Sequence, residues 1–218
     1  MSEIGTAISS SMTFLSKVAE ECEALATLLR QELSAALSKR PLDSLYKPEQ
    51  WSSSYRTDPS GWIYKDAAWS VPLVAKSKPK ATSHLAFQIS FLCDDPEAGH
   101  SPEPLLHINF WDEVTDVSNN SYMGFPMGNI AEPTMQRLRK GTARLFRWET
   151  GTNAPDHWTY TLRLADINGL DEIRKLICDL VTKLLIDVDA GEAALDPLES
   201  VVVYSAIQDM PDHYRVVL

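Results

Sequence analysis

Near the start of the chain, hydrophobic residues recur every three or four positions. Over residues 4–38 this spacing predicts one long amphipathic helix that ends before Pro41. The apolar stripe consists of Ile8, Leu15, Val18, Cys22, Leu25, Leu29 and Ala36, and Ser11 and Glu32 interrupt it. Such a helix is roughly 50 Å long at 1.5 Å per residue, which exceeds the width of a small domain.

A helix of this length has three possible arrangements. It lies along the body of the protein with part of it projecting, it breaks into two pieces, or it packs against another chain. We favour a helix that covers its own sheet over a dimer seam. The stripe lasts only about four heptads, and two of its positions are polar.

Beyond the helix, the pattern of apolar residues changes to a period of two. Residues 41–61 are expected to form a connector. Its aromatic side chains should hold it against the core. The pattern predicts strands at Trp62–Tyr64 and Trp69–Ala75. Because Pro72 lacks an N–H, we expect the second strand to lie at an edge of the sheet or to contain a bulge.

Two antiparallel hairpins are predicted next. Alternation over residues 84–93 predicts a half-buried strand, which pairs with a strand at Leu106–Phe110. Thr142–Glu149 and Trp158–Leu164 form the second hairpin.

A second amphipathic helix is predicted over residues 170–188. Asn168 is its candidate N-cap, and Gly191 is a candidate end signal. Val201–Tyr204 and Tyr214–Leu218 are candidate closing strands.

The order of elements predicts an α+β fold. In it, a mostly antiparallel sheet of about six strands packs against the long N-terminal helix and the C-terminal amphipathic helix. Residues 1–40 are expected to form the N-terminal helix, and residues 41–218 a single α+β domain. The chain has no alternation of strands and helices of the βαβ type, which counts against a Rossmann-like sheet.

Charge is unevenly distributed along the 218 residues, whose net charge is −10. Residues 81–136 hold eight acidic residues and no Lys or Arg. A negative field repels nucleic acid and anionic lipid, and no apolar run approaches the roughly 18 residues that a membrane span needs. We therefore expect a protein partner or self-association, and neither nucleic acid nor membrane as a partner.

The cysteines and the first residues indicate a cytoplasmic protein. The three cysteines, at positions 22, 93 and 178, are odd in number and widely spaced, which is typical of a reducing compartment. The first residues lack the basic and apolar regions of a secretory signal.

Short catalytic and metal-binding motifs are absent from the sequence. It contains no GxGxxG, GxxxxGK[ST], GxSxG, HExxH or CxxC, and its five histidines are dispersed. His84 and His107 could approach Asp112 as a general base, but ordinary pairing on the sheet surface is the preferred interpretation. We assign no catalytic residue, metal ligand or cofactor.

Three groups of residues are candidate contact sites. The loop over residues 113–136 carries large apolar groups on a Gly- and Pro-rich frame, which suits an adaptable contact surface or a lid. A cluster of acids is suited to a basic partner, and a run of basic residues could hold a phosphate, pair with the protein's own acids or contact a second copy. The selected residues are Tyr122, Met123, Phe125 and Met127 in the loop, Asp94, Asp95 and Glu97 in the acidic cluster, and Arg144 and Arg147 in the basic run.

These features favour a non-catalytic protein that acts through protein–protein contacts, as an adaptor or a homo-oligomer. The alternative is a small-molecule-binding domain, or an enzyme without local motifs. It predicts a closed apolar cavity between the sheet and helix 170–188, under the 113–136 loop. A nucleic-acid enzyme is the least favoured class.

Overall fold

The structure, a computed structural model, describes residues 3–91, 101–111, 135–137, 142–149, 157–206 and 214–217. The helices in these ranges are α1 (Glu3–Leu37), α2 (Leu42–Leu45), α3 (Leu170–Ile173), α4 (Asp179–Ile186) and α5 (Val188–Leu195). The strands are β1 (Tyr46–Pro48), β2 (Ser52–Thr57), β3 (Tyr64–Ala75), β4 (Ser83–Ser90), β5 (Leu105–Trp111), β6 (Met135–Arg137), β7 (Thr142–Ala143), β8 (Leu145–Glu149), β9 (His157–Arg163), β10 (Val203–Ala206) and β11 (Tyr214–Val217).

The strands form two antiparallel sheets. The larger sheet has eight strands in the order β1-β3-β4-β5-β9-β8-β6, and β2 also pairs with β3. The smaller sheet has the order β11-β10-β7. The predicted α+β class, its two hairpins and its two helical regions are confirmed. The larger sheet exceeds about six strands because the connector supplies β1 and β2 and residues 135–137 supply β6, whereas the closing strands β10 and β11 belong to the smaller sheet.

The predicted connector, residues 41–61, contains α2, β1 and β2. Its aromatic residues do pin it to the core. Trp51 Nε1 donates to Ser34 Oγ of α1 at 2.9 Å, and the Trp51 ring lies 5.6 Å from the ring of Phe87. The segment forms strands because β1 and β2 both pair with the same side of the long strand β3.

The assignment of Pro72 to an edge is wrong. Residues 64–75 form one strand, β3, with β4 on one side and both β1 and β2 on the other. Pro72 lies between the stretch that pairs with β2 and the stretch that pairs with β1, and its carbonyl accepts the amide of Glu49 at 3.0 Å. The N–H and C=O of one strand residue point to the same side, so the N–H that proline lacks falls in this gap.

One face of the large sheet packs against the helices. Side chains from α1, from the 170–195 region and from the central strands form one apolar cluster. Its largest fully buried members include Trp69, Phe87, Trp158 and Tyr160. Alternating positions of β3, β4, β5 and β9 supply this face, as the period of two predicts.

The opposite face is also buried, so the predicted half-buried character of residues 84–93 is wrong for β4. All eight residues of β4 are buried. Ala86 belongs to a second apolar cluster that contains Phe146, Val202 and Tyr204, and Tyr204 comes from the small sheet. The period of two shows which side chains share a face, but it does not show whether a second layer covers that face.

The 170–188 segment is not one regular helix. α3 continues through a π-helical stretch, Arg174–Cys178, into α4. The helix ends at Ile186, and the extended backbone of Asp187 separates it from α5. Gly169, rather than Asn168, precedes α3, and no side chain caps this end. Asp187 caps α5 instead, because its Oδ1 accepts the amides of Asp189 and Ala190.

Gly191 does not mark a helix end. It lies within α5, where a Cβ would be 2.5 Å from Cδ2 and 2.9 Å from Cα of Leu184 in α4. The glycine therefore permits the close approach of α4 and α5 rather than a C-terminal turn.

Candidate functional site

The N-terminal half of α1 projects from the body of the protein. Residues 3–21 are exposed apart from Val18, which is half-buried, whereas burial of the helix begins at Cys22. The fully docked part buries Ala26, Leu29, Leu33 and Leu37. Of the predicted arrangements, the structure shows the continuous helix that covers its own sheet and partly projects.

The projecting half carries large apolar side chains in solvent. The exposed fractions are 73% for Ile4, 60% for Ile8, 49% for Met12, 65% for Phe14 and 40% for Leu15. Scattered apolar residues on a surface are ordinary, but a contiguous set marks an interaction surface. Ile4, Ile8, Met12 and Leu15 follow one another at helical spacing and are such a set.

The exposed stripe continues the buried one along the same helix face. Leu15 and Leu29 are two heptads apart and share a side of the helix, yet Leu29 is fully buried and Leu15 is exposed. The apolar face is therefore longer than the body that covers it. We call the exposed part, defined by Ile4, Ile8, Met12 and Leu15, the α1 stripe.

The opposite side of the projecting half is uncharged over most of its length. It carries Thr6, Ser9, Ser10, Thr13 and Ser16, and the charged residues between positions 3 and 19 are Glu3 and Lys17. The Thr13 hydroxyl donates to the carbonyl of Ser9 at 3.0 Å, which satisfies it within the helix. This segment thus presents little charge to repel another apolar helix.

A second exposed apolar group lies at the β2–β3 turn. Trp62 is 77% exposed, and Ile63, Tyr64 and Tyr55 are exposed beside it. Asp58 holds the turn, because its carboxylate accepts the amides of residues 60, 62 and 63. The hydrogen bond from the Ser60 hydroxyl, together with these amide bonds, lowers the pKa of Asp58 to about 2.

Two hydrogen bonds align α1 with β2. Trp51 binds Ser34, and the hydroxyl of Tyr55 donates to Glu23 Oε1 at 3.0 Å. Later residues of β2 therefore lie beside earlier residues of α1. β2 thus runs towards earlier residues of α1 as it approaches the β2–β3 turn.

The two arginines selected from the sequence bind groups of the same chain. Arg144 donates to the carbonyls of Asp196 and Val201. Arg147 pairs with Asp189 of α5 at 2.6 Å and lies 3.7 Å from a Glu192 oxygen. Arg147 thus pairs with acids of its own chain, one of the alternatives that the sequence left open, whereas Arg144 binds backbone carbonyls. A role of either arginine in partner binding stays a prediction.

The other selected residues lie outside the described part of the chain. These are Tyr122, Met123, Phe125 and Met127 of the loop and Asp94, Asp95 and Glu97 of the acidic cluster. Asp112, the proposed neighbour of the histidines, lies outside it as well. The predictions for all of these residues stay predictions.

The sequence did not reveal a buried polar layer between the two sheets. His107 of β5 is fully buried, with Nδ1 2.7 Å from Thr161 Oγ1 and Nε2 3.1 Å from Ser90 Oγ. Thr161 in turn bonds to the hydroxyl of Tyr204. Burial lowers the pKa of His107 to about 3, so its imidazole is neutral at pH 7.

The preferred interpretation of His84 and His107 as surface residues is wrong. Both are buried, because the polar face of their hairpin is an inner face. The imidazole of His107 bonds to Thr161 and Ser90 and is not in contact with solvent. The one signal in the sequence was the accumulation of Ser, Thr, His and Asn on alternate positions of adjacent strands.

A cleft lies between the large sheet and the helices, where the alternative hypothesis places its pocket. Its volume is about 440 Å³. Its lining includes Tyr46, Phe110, Arg147, Trp158 and residues 184–189. It opens to solvent past Asp189, which is 77% exposed, whereas that hypothesis predicts a closed apolar cavity. Ligand binding there stays a prediction.

Nucleophilic and metal chemistry has little support in the described part. Burial raises the pKa of the Cys22 thiol and raises that of Cys178 to about 12, which disfavours a thiolate. Among the described residues, no group of three His, Cys, Asp or Glu side chains is placed to hold a metal ion. None of the described helices is both long and apolar enough to cross a bilayer.

Comparison with known proteins gives no match to a protein family, to a curated protein or to a solved structure. The site and its role are therefore argued from the geometry above.

Proposed function

We propose that this protein is a non-catalytic homo-oligomer whose copies associate through the α1 stripe. The observation that carries the proposal is the apolar face of α1, which continues past the body that covers it, with Ser11 as an interruption. Full burial of an exposed Leu or Ile side chain contributes about 1.5–3 kcal/mol, and the 40–73% of Ile4, Ile8 and Leu15 that is exposed sets the share of this still to be gained. A second copy supplies the same apolar face, and each copy then covers the other.

A second copy fits this surface better than an acidic, basic or lipid partner does. The projecting half carries few charges, so a charged ligand finds little to pair with there. The net charge of −10 disfavours anionic lipid surfaces.

Sedimentation velocity on the full chain tests the proposal. We expect the wild type to form an oligomer and the double variant Ile8→Glu/Leu15→Glu to be monomeric, because two carboxylates would be buried in an apolar contact. The matched control, Ser9→Glu/Ser16→Glu, adds the same charge to the opposite face and leaves the oligomer intact. Circular dichroism checks that both variants keep the helical content of the wild type.

Two results would overturn the proposal. One is a wild-type chain that stays monomeric throughout the micromolar range. The other is a monomer that co-sediments with phosphatidylcholine vesicles through Ile8 and Leu15, since the stripe would then belong to a lipid surface.

A further inference from the structure

The small sheet lies over a polar face of the large sheet. On this face, β5 and β9 place His107 opposite Thr161 and Asn109 opposite Thr159. All four residues are buried, and the hydroxyl of Tyr204, from β10, bonds to Thr161. Polar groups gain less than apolar groups when they leave water, so this layer contributes little to the attachment of the small sheet.

The small sheet is joined to the large sheet along one line. β7 precedes β8 with only Arg144 between them, and the guanidinium of Arg144 donates to the carbonyl of Val201. Val202, just before β10, donates its amide to the carbonyl of Thr161 at 3.0 Å. The strands β7 and β10 therefore leave the large sheet side by side, and beyond this line they pair with each other. Such a line has the geometry of a hinge.

Beyond the hinge, apolar contacts of the small sheet centre on Tyr204. Its ring lies 5.9 Å from that of Phe146 in an edge-to-face arrangement. Both rings belong to an apolar cluster that also contains Ala86 and Val216. In the described part of the chain, this cluster is smaller than the one between the large sheet and the helices. Less apolar surface therefore holds the small sheet in place than holds the helices.

Closure of the small sheet leaves the side-chain nitrogen of Asn109 without a hydrogen bond. Asn109 is fully buried, and its Oδ1 accepts the hydroxyl of Thr159, whereas its Nδ2 has no partner among the described residues. It lies in register between Thr159 and Ala86, which belongs to the cluster of Tyr204. A buried donor without a partner is costly, and water satisfies it once the face is open.

We infer that the small sheet is a lid, which swings about Arg144 and Val202 and exposes the polar face of β5 and β9 while the large sheet stays folded. Local openings of this kind have a lower free energy than global unfolding. The helix α1 packs on the other face of the large sheet, so the lid opens independently of the proposed self-association.

Labelling of thiols under native conditions tests the lid. Position 109 lies beneath it, whereas position 108, the preceding residue of β5, is equally buried on the helix-facing side. We expect the new thiol of Asn109→Cys to react at least about tenfold faster than global unfolding of that variant allows, and that of Ile108→Cys no faster. Urea unfolding of each variant supplies the global rate, and peptide mapping by mass spectrometry separates these thiols from the native cysteines.

Reaction of both thiols at the rate of global unfolding would overturn the lid, because its opening would then require the whole chain to unfold. Reaction of both thiols well above that rate would overturn it as well, because the large sheet would not stay folded.

Two tyrosine variants, each made in the Asn109→Cys chain, separate the lid from the rest of the fold. Tyr204→Phe removes the hydroxyl bond to Thr161, and we expect labelling at position 109 to become at least about fivefold faster. Tyr160→Phe is the matched control, since its hydroxyl bonds to the carbonyl of Leu176 on the helix-facing side. It should leave the rate at position 109 unchanged, and an equal acceleration by both variants would contradict the lid.

The native imidazole of His107 provides a measurement that needs no added cysteine. Diethyl pyrocarbonate reaches it when the lid is open, and mass spectrometry reads the modified peptide. We expect modification of the wild type at pH 7 faster than global unfolding allows. In Asn109→Leu it should be at least about fivefold slower, because the closed state no longer contains the unpaired amide nitrogen. Modification of the wild type that awaits global unfolding, or faster modification in Asn109→Leu, would reject the inference.

Discussion

His107 and Thr161 lie directly opposite each other in the β5–β9 register, and the imidazole Nδ1 is 2.7 Å from the threonine hydroxyl. The other ring nitrogen reaches the hydroxyl of Ser90. A fully buried imidazole between two hydroxyls is stable only while it is neutral. The pair therefore links the stability of the two-sheet core to pH.

Stability is expected to fall as the pH decreases below about 6.5. The pKa of His107 is about 3 in the folded chain and about 6.5 in an unfolded one, so between these values the unfolded state binds one more proton. The free energy of unfolding then decreases by about 1.4 kcal/mol per pH unit from this group. Urea unfolding at pH 7 and pH 5 measures the change.

The variant His107→Gln separates this effect from that of the other histidines. We expect it to be less stable than the wild type at pH 7 and to lose less stability between pH 7 and pH 5. Equal losses in the two proteins would show that His107 does not cause the pH dependence.

Enlarging Gly191 is expected to separate α4 from α5. In Gly191→Ala the new Cβ would overlap Leu184, including its backbone, and such overpacking costs about 1–3 kcal/mol. In the control Gly169→Ala the nearest atom is Glu172 Oε2 at 3.5 Å, an ordinary contact. Thermal unfolding of both variants should show a lower midpoint for Gly191→Ala alone.

The two halves of α1 are expected to respond differently to the same substitution. Leu29→Ala removes a fully buried side chain and should cost about 2–5 kcal/mol of stability. Leu15→Ala should change stability by less than about 0.5 kcal/mol. Both are made in the Ile8→Glu/Met12→Glu background, in which we expect no association through the stripe. A large loss in Leu15→Ala would mean that the N-terminal half docks on the body.

The ion pair between Arg56 and Asp66 is expected to matter more than the one between Arg174 and Glu32. Asp66 is 2% exposed, so Arg56→Met leaves its carboxylate buried without this guanidinium, at a cost of about 3–5 kcal/mol. Arg174 is 54% exposed, and Arg174→Met should cost less than about 1 kcal/mol. Chemical denaturation of the two variants provides the comparison, and similar losses would contradict it.

Much of the fold follows from local pattern, as particular residues show. The spacing of Leu25 and Leu29 predicted α1, and the alternation of Phe87 and Ile89 predicted β4. Pro72 led to a wrong strand assignment. A proline fits an inner strand where no partner needs its N–H, and here that place is the gap between β1 and β2. The residues next to Pro72 in the sequence do not show where this gap lies. Gly191 misled in the same way, because the approach of Leu184 cannot be read from its neighbours in sequence.

The candidate site was only partly predictable. The sequence contained the α1 stripe and suggested that part of the helix projects, but it favoured the loop and the charged clusters as contact sites. It could not show that burial of the helix begins at Cys22, because that depends on how far β1 and the 174–178 stretch, which are distant in sequence, extend along the helix.

By itself, the sequence determined which side chains share a face, since the periods of 3.6 and 2 are local properties of the backbone. Only the tertiary structure decided which faces are covered. Leu15 and Leu29 have the same side chain on the same side of one helix, and residues far away in sequence bury the second and leave the first exposed. Likewise, the small sheet buries the polar face at His107, because Tyr204, almost a hundred residues later, packs over it.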